Sequence, residues 1–276
     1  MKKLKHTPRR IKQVKQLLDR LVRPGTHPVS VKLFKKEPKD FPSKTVFPFS
    51  FFDHPINFCQ GVGIVRRYGW KVAFRFEDNA CPMFVVYFGL RKTPKIVAEG
   101  EMCYPIFTET KALGALAEAT LARMPAGEIG TIFMEPLDEN PSFEPDLILV
   151  YGNASQMTKL IAAANYRKGK GIEGGPFTAR GACSSSIVKP FLTKEFRINI
   201  PGGGERLSGH TADDELVFSI PNRRIGDMIF GLEATNRYGT ARYPTHFKGM
   251  QIEPTFPEKY KKLGEHFGMT IKAKKE

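Results

Sequence analysis

The segment Asp146–Tyr151, DLILVY, constrains the fold of this chain most. Its apolar run is too short for a core helix and rich in residues that favour strands, so it reads as a buried strand. Gly152-Asn153 then turns the chain into a helix expected over Ser155–Tyr166. The same alternation recurs on either side. Strands are expected at Pro28–Phe34, Trp70–Phe76, Ile129–Met134, Phe196–Ile200 and Glu215–Ile220. Helices are expected over 9–22, Phe58–Arg67, Cys81–Leu90, Thr110–Arg123, Ala182–Val188 and Arg223–Thr235. Strands alternating with helices predict an α/β (or α+β) body: a mixed sheet with helices packed on it. Residues 35–55, rich in proline and phenylalanine, read as an ordered loop, because Phe47, Phe49, Phe51 and Phe52 would not be left in water by a flexible tether.

Composition narrows the class. With 41% hydrophobic and 26% charged residues the chain is neither disordered, collagen-like nor coiled coil. No run of 18 apolar residues predicts a membrane span. The basic N-terminus lacks an apolar stretch after it, so no secretory signal is expected. Four cysteines are too few for a disulfide scaffold, and a cytoplasmic location follows as the expectation. The net charge of +15 is concentrated at the ends. Residues 1–23, a basic helical arm, carry +8; residues 258–276, a basic tail, carry +3; the body at 24–257 carries +4. Ala-Cys occurs at two expected helix starts, Ala80-Cys81 and Ala182-Cys183, which admits a diverged duplication with halves near 28–143 and 144–240. The basic termini admit salt-sensitive contact with nucleic acid, and solvated, solubilising tails are the plainer reading.

Most motif tests fail. Gly169 to Gly174 has the spacing of a dinucleotide loop, but a helix precedes it where a strand is required. There is no phosphate-binding P-loop and no nucleophile elbow, and the six histidines have no ligand-pair spacing. Gly202-Gly203-Gly204 with Arg206 would let backbone and a cation approach an anion, while Asp213-Asp214-Glu215 serve as caps or solvated charges.

The cysteines are the sharpest feature. Cys59, Cys81 and Cys183 fall where loops enter helices, and Pro82 suits a first helical turn. A thiol at a helix N-terminus is expected to have a lowered pKa, and thiolates are what an iron–sulfur cluster needs. The alternative is four small buried hydrophobes.

Several short runs, in order, carry a resemblance: Pro28 to Lys32, Phe58-Cys59-Gln60, Cys81-Pro82, Glu144-Pro145-Asp146, Val150 to Asn153, Ala182-Cys183-Ser184 with Pro190-Phe191-Leu192, and Asp213-Asp214-Glu215. Together they resemble domain-of-unknown-function family 169 of archaea and bacteria. The resemblance implies no reaction. It implies that Cys59, Cys81 and Cys183 matter, since they fall on the family's pattern, which Cys103 does not match. Members often read Cys-Asn-Gly where this chain has Gly202-Gly203-Gly204, which weakens a ligand role for that loop.

Three functions stay open. In the first, Cys59, Cys81 and Cys183 hold an iron–sulfur cluster or other metal with an open iron, and Arg180 and Arg206 orient a small anionic or sulfur-containing substrate. In the second, a metal-free protein binds a small anion or nucleic acid. In the third, Cys183 is a nucleophile. Oligomeric state is not readable from the chain.

Overall fold

The structure, a computed structural model, describes residues 7–169, 171–175, 182–238 and 258–269. They fall into two compact units, one within Met1–Tyr243 and one within Pro244–Glu276. The second holds the helix Glu258–His266. Among the described residues no helix is long and apolar enough to cross a membrane.

The first unit is built on a seven-stranded mixed sheet, so the expected α/β class holds. The strands are β1 (Val29–Phe34), β2 (Thr45–Val46), β3 (Lys71–Phe74), β4 (Thr131–Pro136), β5 (Leu147–Gly152), β6 (Arg197–Asn199) and β7 (Leu216–Pro221). Their order is β2-β3-β4-β1-β5-β7-β6. Among the described strands only the β2/β3 pair is parallel. The sheet divides at β1/β5: four strands come from the first half of the chain and three from the second, and the two sets differ in number and pairing.

β5 sits near the centre, and all six of its residues are buried. The period of two sends Leu147, Leu149 and Tyr151 to one face and Ile148 and Val150 to the other. Full burial of each such side chain contributes roughly 1.5–3 kcal/mol. The second face is covered by three helices: α1 (Thr7–Leu17), α7 (Ala154–Asn165) and α10 (Ile225–Tyr238). The first helix, expected over 9–22, buries one face, since Ile11, Val14, Leu17 and Leu18 are all buried. After α1 a π-helical turn (Leu18–Val22) runs to Arg23, which takes a left-handed conformation before Pro24.

The first face carries α3 (Phe58–Tyr68) and α4 (Pro82–Tyr87), together with a second π-helical segment, Ala182–Val188, that continues into α8 (Lys189–Thr193). Phe58, Phe74, Phe84 and Phe88 form an aromatic cluster there, with neighbouring ring centroids 4.8–5.9 Å apart.

Two expectations need revision. The 35–55 loop contains β2 and the helix α2 (Pro48–Phe52), yet Phe49 and Phe51 are exposed, Phe51 packing edge-on against Trp70 instead of entering the core. The predicted 202–204 loop is instead the start of a helix, α9 (Gly203–Ser208), capped at Gly202. The remaining short helices are α5 (Lys95–Ala98) and α6 (Lys111–Thr120).

Candidate functional site

Cys59 stands in the first turn of α3. That helix starts where it does because the Asn57 N–H donates to Gln60 Oε1 at 2.7 Å, satisfying one helix-start donor. It packs against α9 with little room between them. A Cβ on Gly63 would lie 2.7 Å from the Gly209 carbonyl oxygen, so only glycine fits this crossing. A Cβ on Gly204 would lie 3.2 Å from Cys59 Sγ, so the start of α9 forms one wall around that thiol.

Cys81 is the N-cap of α4, with Pro82 in the first helical position as expected. The segments leading into Cys59 and Cys81 run side by side. Ile56 bridges Asn79 in parallel sense, the Ala80 N–H donates to the Ile56 carbonyl at 3.0 Å, and the Ile56 N–H donates to the Asp78 carbonyl at 3.2 Å. Phe58 and Phe84, on the helices that follow, pack with tilted rings, centroids 5.0 Å apart. Two sequence positions 22 residues apart are thus delivered by a pair of hydrogen-bonded loops onto neighbouring helix starts.

Cys183 lies in the π-helical segment, which packs against α4. Wider turns leave carbonyls for outside donors, and the sheet supplies them. Asn199 Nδ2 donates to the Ser185 carbonyl at 3.1 Å and Ser219 Oγ to the Ser186 carbonyl at 2.7 Å. Cys81 and Cys183 both pack, partly buried, against the same apolar core.

Two of the three thiols are shifted by their surroundings. Burial pushes the Cys59 thiol up to about 12, with further upward influence from Glu205 and Cys81. Burial also holds Cys183 well above the ordinary thiol range, followed by the charges of Cys59, Cys81 and Glu205. For Cys59 and Cys183 desolvation therefore outweighs the helix-terminus effect, and the lowered pKa expected for them from sequence is reversed. Thiols shifted in this way are protonated at neutral pH.

Sequence reasoning missed the polar support. Glu205, 2% exposed, accepts from Tyr151 Oη at 2.7 Å and from the Gly202 N–H at 2.8 Å. Burial raises its pKa, opposed by those two hydrogen bonds and by Arg66. Arg66, also buried, lays its guanidinium 4.1 Å from the Tyr151 ring centroid and pairs with Glu215. Tyr151 shares the face of Leu147 and Leu149 on β5, a period-two signal that pointed it at this layer.

Arg206 is turned toward its own loop: it donates to the Ala212 carbonyl at 3.0 Å and lies 3.7 Å from the Asp213 carboxylate. Arg180 lies outside the described residues. Cys103 is fully buried under α6, where its thiol donates to Glu118 Oε1 at 3.4 Å. Among the described residues, no three His, Cys, Asp or Glu side chains form a group that could hold a metal ion.

A family model matches residues 17–231, from the end of α1 to the middle of α10, and so includes Cys59, Cys81, Cys183, Tyr151 and Glu205. The chain belongs to domain-of-unknown-function family 169. The family is described only as uncharacterised ArCR. No curated protein and no solved structure matches the chain.

Proposed function

We propose that this member of family 169 binds an iron–sulfur cluster through Cys59, Cys81 and Cys183, and that one iron, left without a protein thiolate, takes a small anionic or sulfur-containing molecule. The observation that carries the reading is structural: three cysteines 22 and 102 residues apart along the chain stand on segments packed against the same face of the sheet. The hydrogen-bonded loops before Cys59 and Cys81, and the packing of α4 on the Cys183 segment, support it independently.

Three thiols are the donor type such a group takes. A single ion draws thiolates to within about 4 Å of one another, as bond lengths near 2.3 Å require. A cluster spreads its sulfur ligands over roughly 7 Å, a wider grouping than one ion tolerates. Bound, a cluster would supply a Lewis-acidic iron or an electron. The chain's own residues do the rest. Glu205 has both oxygens engaged by Tyr151 and Gly202, so it sets the local charge from a fixed position. Phe58, next to Cys59 in the chain, anchors the start of α3 in the aromatic cluster.

The test is anaerobic reconstitution of the full chain with ferrous iron and sulfide, followed by assay of both elements and of visible absorbance. Stoichiometric iron and sulfide are expected, lost in Cys59→Ser, Cys81→Ser and Cys183→Ser and retained in Cys103→Ser. A folded wild-type protein that takes up neither element overturns the proposal, as does full retention in the first three variants.

A further inference from the structure

A cavity of about 550 Å³ opens beside the thiol region, and Cys81 is part of its wall. This is within the range of small-molecule sites. Its floor is apolar. Val86 and Val97 are buried there, and Met83, Val85 and Met102 pack half-buried against the main core. Methionine walls adapt to irregular hydrocarbon shapes.

The rim has the opposite character. Arg91 lays its guanidinium 4.4 Å from the centroid of Phe76 and donates to the Leu90 carbonyl at 2.9 Å. Lys92 stands beside it, exposed. Among the described residues neither has a carboxylate partner, whereas Glu77 on the same rim is paired with Arg75 at 3.1 Å. Two uncompensated cations therefore sit over an apolar floor. Arg206, the cation expected from sequence, is already engaged by Ala212 and Asp213.

We infer that this cavity binds an amphiphilic anion: a hydrocarbon body seated against Met83, Val86, Val97 and Met102, with one anionic head held by Arg91 and Lys92. Apolar area supplies the affinity, and the paired cations select the charged head over a neutral one. The inference deepens the three-thiol reading and rests on it for its link to chemistry, because Cys81 belongs to both. It names the substrate class as an apolar chain with a single acidic group. A fully polar metabolite would leave the floor without a partner.

The test uses the metal-free full-length protein, so that it is independent of cluster assembly. Decanoate and decanol are titrated separately by calorimetry. Saturable decanoate binding is expected. The double variant Arg91→Ala/Lys92→Ala should weaken decanoate tenfold or more and leave decanol within about twofold. Met102→Trp, which fills the cavity, should abolish both, with an unchanged melting temperature certifying the fold. Absence of saturable decanoate binding, or binding that both variants leave intact, overturns the inference. Decanoate binding by a protein that takes up no iron would sustain the cavity and sink the three-thiol reading. Iron uptake without decanoate binding would do the reverse.

Discussion

Cys59 combines two opposing influences on one sulfur. The helix start favours the thiolate, and burial beside Glu205 and Cys81 disfavours it more strongly, giving a pKa of about 12. At pH 8 about one such thiol in ten thousand is ionised, against roughly one in four for an ordinary thiol. Alkylation of Cys59 in metal-free protein at pH 8, followed by peptide mass spectrometry, should be at least a hundredfold slower than that of a free thiol, and should accelerate as pH rises toward 12 because only the thiolate reacts. A rate equal to that of a free thiol would show that the thiol is not desolvated. The glycines near it make a second case. Gly63→Ala forces a Cβ onto the Gly209 carbonyl, where backbone cannot give way, and should cost about 1–3 kcal/mol, read as a melting temperature lowered by several degrees. Gly204→Ala presses on Cys59 Sγ from an exposed position, so iron content should fall while the melting temperature stays near wild type. The positions of the three thiols were legible because helix-start signals are local: glycine or proline beside a cysteine at the head of an apolar run. Glu205, Tyr151 and Arg66 were not, because their roles depend on β5, α3 and α9 meeting, which no local spacing encodes.

Among the elements, the strands and long helices followed their periodicity closely. β5, α1, α3 and α7 fall within a few residues of the positions that alternation and helical spacing assign. The departures have physical causes. The helix expected over Cys81–Leu90 stops at Tyr87, and Gly89 takes a left-handed conformation within the turn that follows. The helix at 182–188 is π-helical, and its carbonyls are claimed by side chains of β6 and β7 that lie 14 or more residues away in sequence. Asn199, 1% exposed, holds two of its groups, the Ser185 carbonyl and Ser186 Oγ. Asn199→Ala leaves those acceptors unpaired and should cost about 1–3 kcal/mol. The same variant should speed alkylation of Cys183 in metal-free protein, since the segment that carries it loses its anchor. An unchanged melting curve and an unchanged Cys183 rate together would show that the π-helical segment holds itself.

For the whole molecule, the basic N-terminal segment and the body are one structure over the described residues. Ile11, Val14, Leu17, Leu18 and Val22 are all buried against α7, α10 and the far face of the sheet. Each contributes roughly 1.5–3 kcal/mol, and their sum rivals the 5–15 kcal/mol that holds a typical domain together. Deleting residues 1–22 should therefore abolish cooperative thermal unfolding, measured by circular dichroism. A truncated protein that still melts in one sharp transition would mean that the second face is closed by other contacts. The positive charge of this segment thus rides on a helix whose opposite side is structural, which sequence charge counting alone could not reveal.

The seam between β1 and β5 has a consequence in time. Cys59 and Cys81 leave the ribosome early, on the part of the chain that builds β1 to β4, while Cys183, Tyr151 and Glu205 belong to the part that builds β5 to β7. A nascent polypeptide released before its later strands emerge carries two of the three sulfurs and none of their acidic and phenolic neighbours. On the proposed reading, the three sulfurs are together in the chain only once translation has passed Cys183, which makes loading a late step of the protein's maturation.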